Sequence, residues 1–581
     1  MRSRLLPSMR RERLGVIPLN GFWSFKRDPE GVGSEEGFHE GFEAEYQLAV
    51  PASWNEQVPE LMNYMGVAWY ARRFTAPKAF EGLKAWLVFE GVNYKAEVWL
   101  NGRYLGAHEG GFTSFRLEAP MECDSENLLV VKVDNTLTPR SVPPGRGLHG
   151  FEGPYFDFFH YGGIHRPVRV EFTGSSWVEE LAVTAHANGR LEARVRIGGE
   201  EPDRVYMKVL DDGRVLYSGE ATREERGVYV IEGLVKGVEP WDVGRGRVYK
   251  LAVDVYAGSL SDSVYEYVGF RDFEVRGGKL LLNGREIRLL GFGRHQDFPI
   301  FGRYLPEPVI VRDYAMMARL NANSFRTSHY PYSSADLDYA DRMGVLVILE
   351  APLVGLREEH FRDREYLEKC KRMLEEMIRE HRNRPSVIMY SIANEPESWL
   401  DEAVPFLEEL ANIARNLDPT RPVTFTSHAH MAGRTDRALG VVDVISLNFY
   451  HGWYTLHGDL EAAIRRAEDD LEGVHHRYPD KPILITEFGA GAVAGLHGDP
   501  PEMWTEEYQA ELISRYIDLF SSKGYVKGIH IWNLVDFKTP QSHWRVVLNR
   551  KGVLTRTRQP KLAARVVAEK FKKLRLEGWR G

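Results

Sequence analysis

Val387-Ile388-Met389-Tyr390-Ser391-Ile392-Ala393-Asn394-Glu395-Pro396 is an apolar run that ends on an amide and a carboxylate. Ile483-Leu484-Ile485-Thr486-Glu487 repeats the pattern further along the chain. Short runs without alternation read as strands of a parallel sheet buried on both faces. At the carboxyl end of a barrel strand, a carboxylate lies on the face where such barrels build their active sites. Either glutamate alone could simply cap the next helix or pair with an arginine. Two of them at the ends of two strands are the pair of groups that glycosidic bond cleavage requires.

Outward from these runs the rhythm is strand, helix, strand, helix. From about residue 275, a hairpin turning on Asn283-Gly284 leads into Arg288-Leu289-Leu290-Gly291-Phe292-Gly293. Further strands are expected at 322–328, 345–350, 387–393, 423–427, 444–449, 482–486 and 526–532, with helical patterns such as Val309 to Leu320 and Asp401 to Leu417 between them. Eight strands alternating with helices predict a (β/α)8 barrel over residues 275–581, with Glu395 ending strand four and Glu487 strand seven. His295, His329, Glu350 and His428 end strands on the same face, as do Asn448, Tyr450, Trp532 and Asp536. Polar groups gathered at one mouth suit a ligand rich in hydroxyls, each needing a partner once desolvated. Trp532 offers an apolar face for a sugar ring.

The N-terminal half is β-rich. Leu83–Glu90 and Tyr94–Leu100 read as strands, the second followed by an Asn101-Gly102 hairpin turn, and residues 1–174 are expected to form a jelly-roll sandwich. The cluster Tyr155-Phe156-Asp157-Phe158-Phe159-His160-Tyr161 breaks the strand rhythm. A sandwich core could absorb several of its rings, but Asp157 is harder to explain by packing. Alternating strands such as Leu191–Ile197 and Tyr249–Tyr256 predict an immunoglobulin-like sandwich over residues 175–274.

A chain of 581 residues is too long for one core. The net charge of −8 argues against nucleic acid as a partner. No stretch approaches the roughly 20 apolar residues that span a bilayer, and Met1–Pro7 lacks the apolar core of a signal peptide. Cys123 and Cys370 fall in different expected domains, so no disulfide framework is expected. The expected protein is cytoplasmic, independent of nucleic acid and membranes. Its charge-rich helices suit a thermostable source. No metal-ligand spacing occurs, and Gly291-Phe292-Gly293 lacks the rest of a dinucleotide fingerprint, so neither metal nor cofactor is expected.

The longer stretches carry a family resemblance. Trp99-Leu100-Asn101-Gly102, Gly162-Gly163-Ile164-His165-Arg166, Phe325-Arg326-Thr327-Ser328-His329-Tyr330-Pro331-Tyr332, Ser391–Pro396 and Ile485–Gly489 resemble glycoside hydrolase family 2. Asn549-Arg550-Lys551-Gly552, following Trp532 and Asp536, is similar to the Asn-x-Lys element of the family's β-glucuronidases. The resemblance implies that Asn549 and Lys551, with Arg545, recognise the sugar C6 carboxylate. A Lys ammonium and an amide NH2 supply charge-assisted donors to such an anion. It also implies that Asp157 reaches the sugar hydroxyls, and that Tyr450 and Tyr454 orient the nucleophile and line the site. Departures from the subgroup pattern are Gln296, Phe449, His451 and Leu349, the last in Leu349-Glu350 where the pattern has Asp-Glu.

The expected reaction is retaining hydrolysis of terminal β-D-glucuronides, free or ending an oligosaccharide. Glu487 acts as nucleophile and Glu395 as acid then base, their carboxyls about 5–5.5 Å apart. Asn394 bonds the 2-hydroxyl, and His295, His329 and Trp532 complete the sugar site. A β-galacturonidase or broad uronidase fits nearly as well, because Asn-x-Lys reads the carboxylate and not the 4-hydroxyl. A β-galactosidase fits less well, and a silent carbohydrate-binding protein would not need both glutamates. The family implies a homo-oligomer, dimer or tetramer. The short segment from Ala351 to Glu365, leading into a helix near Tyr366, implies an open leaving-group side.

Overall fold

Eight parallel strands close into a barrel in chain order: β1 (Leu289–Arg294), β2 (Ser324–Thr327), β3 (Leu346–Glu350), β4 (Val387–Asn394), β5 (Val423–His428), β6 (Ile445–Phe449), β7 (Ile483–Phe488) and β8 (Val526–Ile531). The structure, a computed structural model, describes residues 4–5, 9–11, 13–145, 156–542 and 545–579. Most of Met1–Pro7, on which the targeting expectation rests, and Tyr155 of the aromatic cluster lie outside the described residues.

All eight expected strands form. Every residue of β4 and of β7 is buried, because helices cover the outside and side chains fill the inside. That is why their sequences are apolar without alternation. The helices start and stop where local chemistry says they should. The Asp363 side chain accepts from Tyr366 N and opens the helix Arg364–His381. Gly344, at φ 67°, closes the helix Ser334–Met343. One further turn of helix, Glu358–Phe361, stands before Arg364 and was not expected.

Two β-sandwiches precede the barrel. The first packs a five-stranded sheet, with Lys84–Phe89 at its centre, on a six-stranded sheet that contains Lys95–Leu100. Trp23, Phe25, Leu87, Phe89, Val98 and Leu100 meet in its core. Asn101 and Gly102 take φ 51° and 75° at the tight turn, the conformation that selects Asn-Gly. The second sandwich has four- and five-stranded sheets. Its five-stranded sheet ends on Arg10–Arg11, which pair with Tyr265 and Val264. Arg11 is buried there against Glu171 (3.0 Å) and Asp262 (3.1 Å), so the start of the chain ties the two sandwiches together. Among the described residues, no helix is long and apolar enough to cross a membrane.

The seam between the first sandwich and the barrel positions the site. Phe112, Phe156 and Phe158 belong to the barrel's hydrophobic core rather than to the core of their own sandwich. Phe156 stacks on Phe158 (4.4 Å), Phe158 meets Tyr330 (5.5 Å), and Phe112 stacks on Tyr330 (4.4 Å). Arg166 crosses the seam by donating to Phe112 O (2.7 Å) and Pro331 O (2.6 Å). Each buried ring contributes on the order of 1.5–3 kcal/mol of transfer free energy. Together these contacts hold the segment that carries Asp157 rigidly over the barrel mouth.

Candidate active site

β4 ends on Asn394, and Glu395 then turns into the left-handed region at φ 49°. For a non-glycine residue that conformation costs about 1–2 kcal/mol. The surrounding backbone holds it: Glu395 N donates to Thr426 O (2.8 Å), Asn394 N to Leu353 O (2.9 Å) and Glu397 N to Leu356 O (2.8 Å). Strain stored in this way is characteristic of functional positions. Asn448, on β6, donates its amide to Glu395 Oε1 (2.8 Å), and His428 Nδ1 lies 3.3 Å from the same oxygen.

Glu487 lies near the end of β7 with its side chain 5% exposed. The Tyr450 hydroxyl donates to its Oε2 (2.6 Å), and Arg326 donates to its Oε1. Arg326, on β2 and fully buried, also grips Glu350 through Nη1, at 2.8 and 2.6 Å to the two oxygens. Glu350 accepts further from His329 Nδ1 (2.7 Å) and Ser391 Oγ (2.7 Å). Burial works to raise the Glu350 carboxyl, but Arg326 and these donors hold it below its ordinary range. Burial raises the Glu487 carboxyl; Arg326 opposes this, Glu395 adds to it, and His329 and the Tyr450 hydroxyl oppose it, leaving Glu487 above the ordinary range.

Asn394 Oδ1 accepts from Arg326 (3.3 Å) and lies 3.5 Å from the Asn448 amide. With its oxygen so engaged, the amide NH2 is the end presented to a bound molecule. Arg326 was not among the expected site residues. Its signal was present, since an arginine inside a buried barrel strand must find carboxylates.

On the sandwich side, Asp157 Oδ2 accepts from Arg545 Nη2 (2.8 Å) and Asn549 Nδ2 (2.7 Å). The Asn549 amide and Arg545 are therefore turned on Asp157, whereas a role at a bound carboxylate was expected of both. Burial works to raise the Asp157 carboxyl, but Arg545 and then Lys551 hold it below its ordinary range. Lys551 donates to the Tyr454 hydroxyl (2.7 Å) and lies over the rings of Tyr454 (4.7 Å) and Tyr450 (5.3 Å). Among the described residues it has no carboxylate within ion-pair distance, and burial pushes its ammonium well below the usual lysine range, with Arg545 adding to the effect. Asn549 is placed by a short antiparallel pairing with Phe537, and its Oδ1 accepts from Lys551 N (3.1 Å).

Other expected residues divide. His329 stacks on Trp532 (5.0 Å), and both line the cavity together with Glu395 and Glu487. His295 sits one layer deeper, edge-on to Trp532 (5.3 Å), with its Nδ1 on the Tyr330 hydroxyl (3.0 Å) and its Nε2 unpartnered. Asp536 does not face the cavity. It accepts from Lys561 Nζ (2.8 Å) and Gly552 N (3.0 Å), and so anchors the segment that carries Lys551. The departures from the subgroup pattern also find other work: Gln296 bonds Asp336 (3.1 Å), and His451 bonds Asp470 (2.8 Å). The cavity holds about 620 Å³. A larger cleft of about 940 Å³ opens at the amino ends of β4, β5 and β7, but it holds neither glutamate.

Comparison with known proteins places the chain in a family. The profile of Glycosyl hydrolases family 2, TIM barrel domain, matches residues 273–576, and that of the family 2 sugar binding domain matches residues 16–173. A β-glucuronidase of Paenibacillus borealis is 35% identical, covering 96% of this chain and 96% of its own. A β-glucuronidase of Homo sapiens is 33% identical over 96% of this chain and 90% of its own. The crystal structure of a Ruminococcus gnavus β-glucuronidase superposes with a TM-score of 0.90 at 32% identity, covering 98% of this chain and 99% of that one. A β-glucuronidase from Ruminococcus gnavus in complex with C6-substituted uronic isofagomine superposes with a TM-score of 0.89 at 31% identity over 98% and 99% of the two chains.

Proposed function

The chain belongs to glycoside hydrolase family 2, and from that premise we infer that it hydrolyses terminal β-D-glucuronides with retention at the anomeric carbon. The observation that carries the substrate class is Lys551. Lys551 is buried, hydrogen-bonded to the Tyr454 hydroxyl and set against ring faces, with no carboxylate within ion-pair distance among the described residues, and a uronate carboxylate would supply one. The Ruminococcus gnavus enzyme's complex with a uronic inhibitor supports the same assignment.

The carboxyl pair sets the chemistry. Both strong donors, Arg326 and the Tyr450 hydroxyl, serve Glu487 and favour its anion, so Glu487 takes the part of nucleophile and Glu395 that of acid. Glu487 attacks the anomeric carbon as the bond to the leaving oxygen breaks, and Glu395 gives that oxygen its proton. Having given its proton to the leaving oxygen, Glu395 is left ionised beside the glycosyl ester. It then takes a proton from water, the water oxygen bonds the anomeric carbon, and Glu487 departs as the anion. The Asn394 NH2 faces the 2-hydroxyl, where a hydrogen bond strengthens in the transition state. Asp157, held by Arg545 and Asn549, meets the sugar hydroxyls from the sandwich side. Trp532, stacked on His329, forms the ring's floor with His295 behind it.

Replacing Lys551 with Ala is expected to lower kcat/KM for a glucuronide by about tenfold to a few hundredfold. A glucoside or galactoside should be hardly affected. Parallel assays with p-nitrophenyl β-glucuronide, galacturonide and galactoside check both this and the substrate class. An equal loss on neutral and acidic sugars would make Lys551 structural.

Tyr450→Phe is expected to shift the pH profile. Activity needs Glu487 ionised, and the Tyr450 hydroxyl favours that form. Without it the Glu487 carboxyl titrates higher still, so the acid limb of kcat/KM moves to higher pH while the alkaline limb moves less. A profile lowered uniformly at every pH would remove this role.

Further parts of the reading rest on narrower support. We take the domain divisions at 174/175, between strands that end at Thr173 and begin at Ser176, and at 274/275, which lies inside the strand Phe273–Arg276 that follows the last sandwich strand, ending at Val268. Cys123 and Cys370 are unpaired, which suits a reducing cytoplasm. The ion-pair chain Arg364–Glu409–Lys371–Glu368 suits thermostability. Assembly into a dimer or tetramer is inferred from family habit, and sedimentation tests it. We read the leaving-group side as open among the described residues, because Ala351–Glu365 packs back onto β4 and only Val354 of it lines the cavity.

A further inference from the structure

Beyond Glu395 the cavity wall changes character. The glutamates and Asp157 account for the acidic residues lining it, and Glu487 and Asp157 are each met by an arginine. The outer wall is instead made by His428, His430, Leu456 and Arg466. His428 stands on the outer flank of the proton donor, 3.3 Å from Glu395 Oε1, and the His430 ring lies 5.4 Å from that of His428. Arg466 projects from the helix Leu460–Arg477 and uses only its Nε, on Asp470 Oδ1 (3.1 Å). Asp470 is buried and is shared with His451 (2.8 Å) and Arg434 (3.4 Å). One carboxylate thus serves two guanidiniums and an imidazole, and the Arg466 terminal nitrogens are left to the cavity.

We propose that the leaving-group side of the cleft is a subsite for an anionic aglycone, one that carries a carboxylate or a sulfate ester close to the scissile bond. This rests on the glucuronidase reading and narrows its substrate class. The Arg466 terminal nitrogens are donors of the kind that bind either anion, and the His428 and His430 rings stand beside them as polar neighbours. A neutral aglycone gains nothing from them. Leu456 and Val354 supply the apolar flanks for the ring that carries the charge.

The test compares three β-glucuronides of one coumarin leaving group: 4-methylumbelliferone, 7-hydroxycoumarin-4-acetate and 7-hydroxycoumarin-4-methanesulfonate. With the full chain, kcat/KM for the charged substrates should exceed that for the neutral one by about three- to tenfold, the range of a half-exposed charge-assisted contact. A larger preference for the sulfonate points to sulfated partners, and for the carboxylate to uronate or carboxylated ones. Arg466→Gln should remove most of the preference, and Arg465→Gln, one residue away on the exposed face, should leave it. Equal kcat/KM for all three, or an equal change with both variants, would overturn the subsite while leaving the glucuronidase reading intact. No turnover of any of the three would overturn both.

Discussion

Replacing Glu487 with Gln is expected to lower β-glucuronide turnover by on the order of 10⁴-fold or more, as loss of a covalent nucleophile does. An amide keeps the volume of the carboxylate and can accept from Tyr450, but it cannot form the glycosyl ester. Arg326 keeps its two contacts to Glu350, so the variant should stay folded. Stopped-flow and steady-state rates on an activated aryl glucuronide measure the loss, and circular dichroism checks the fold. Activity within about a hundredfold of the parent would place the nucleophile elsewhere.

Arg326→Ala is expected to damage both stability and rate. Arg326 is fully buried and joins Glu350 to Glu487, so its removal leaves two buried carboxylates without their cation. Breaking a buried pair in this way costs about 3–5 kcal/mol. In catalysis the loss should reach on the order of 10²–10³-fold in kcat, because the donor that keeps Glu487 ionised is gone. Arg326→Lys restores charge but not the fork that spans two carboxylates, so it should recover stability in part and rate less. Urea denaturation and kinetics on the same two variants separate the effects. Full stability with Arg326→Ala would contradict the network described for β2, β3 and β7.

How much of this was readable in the sequence depends on where each signal lives. The barrel was readable because buried parallel strands leave unbroken apolar runs, and β1 to β8 all lie where such runs predicted them. Glu395 and Glu487 were readable because each ends its run. The strain at Glu395 was not, since a positive φ at a non-glycine residue depends on backbone partners distant in sequence, Thr426 O for Glu395 N and Leu353 O, in the loop after β3, for Asn394 N. Asp157 stood out as a charge among rings, but its pairing with Arg545 and Asn549 joins residues from opposite ends of the chain. Asp536 looked like a mouth residue because it follows Trp532. Only folding shows it turned away, onto Lys561. Arg326 was legible in principle, as a charge inside a buried strand. What the sequence does not carry is which carboxylates it meets, since Glu350 and Glu487 come from two other strands. The weave of Arg10–Arg11 into the second sandwich left no local signal, since two residues carry no periodicity.

The central claim is that Glu487 and Glu395 cleave a β-glucuronide by double displacement. The most direct test follows hydrolysis of a β-D-glucuronide by ¹H NMR in the first minutes, before mutarotation. The account predicts that β-glucuronic acid appears first and that the α-anomer grows in later. Initial formation of the α-anomer, or an unreacted glucuronide beside active enzyme on a neutral galactoside, would contradict it.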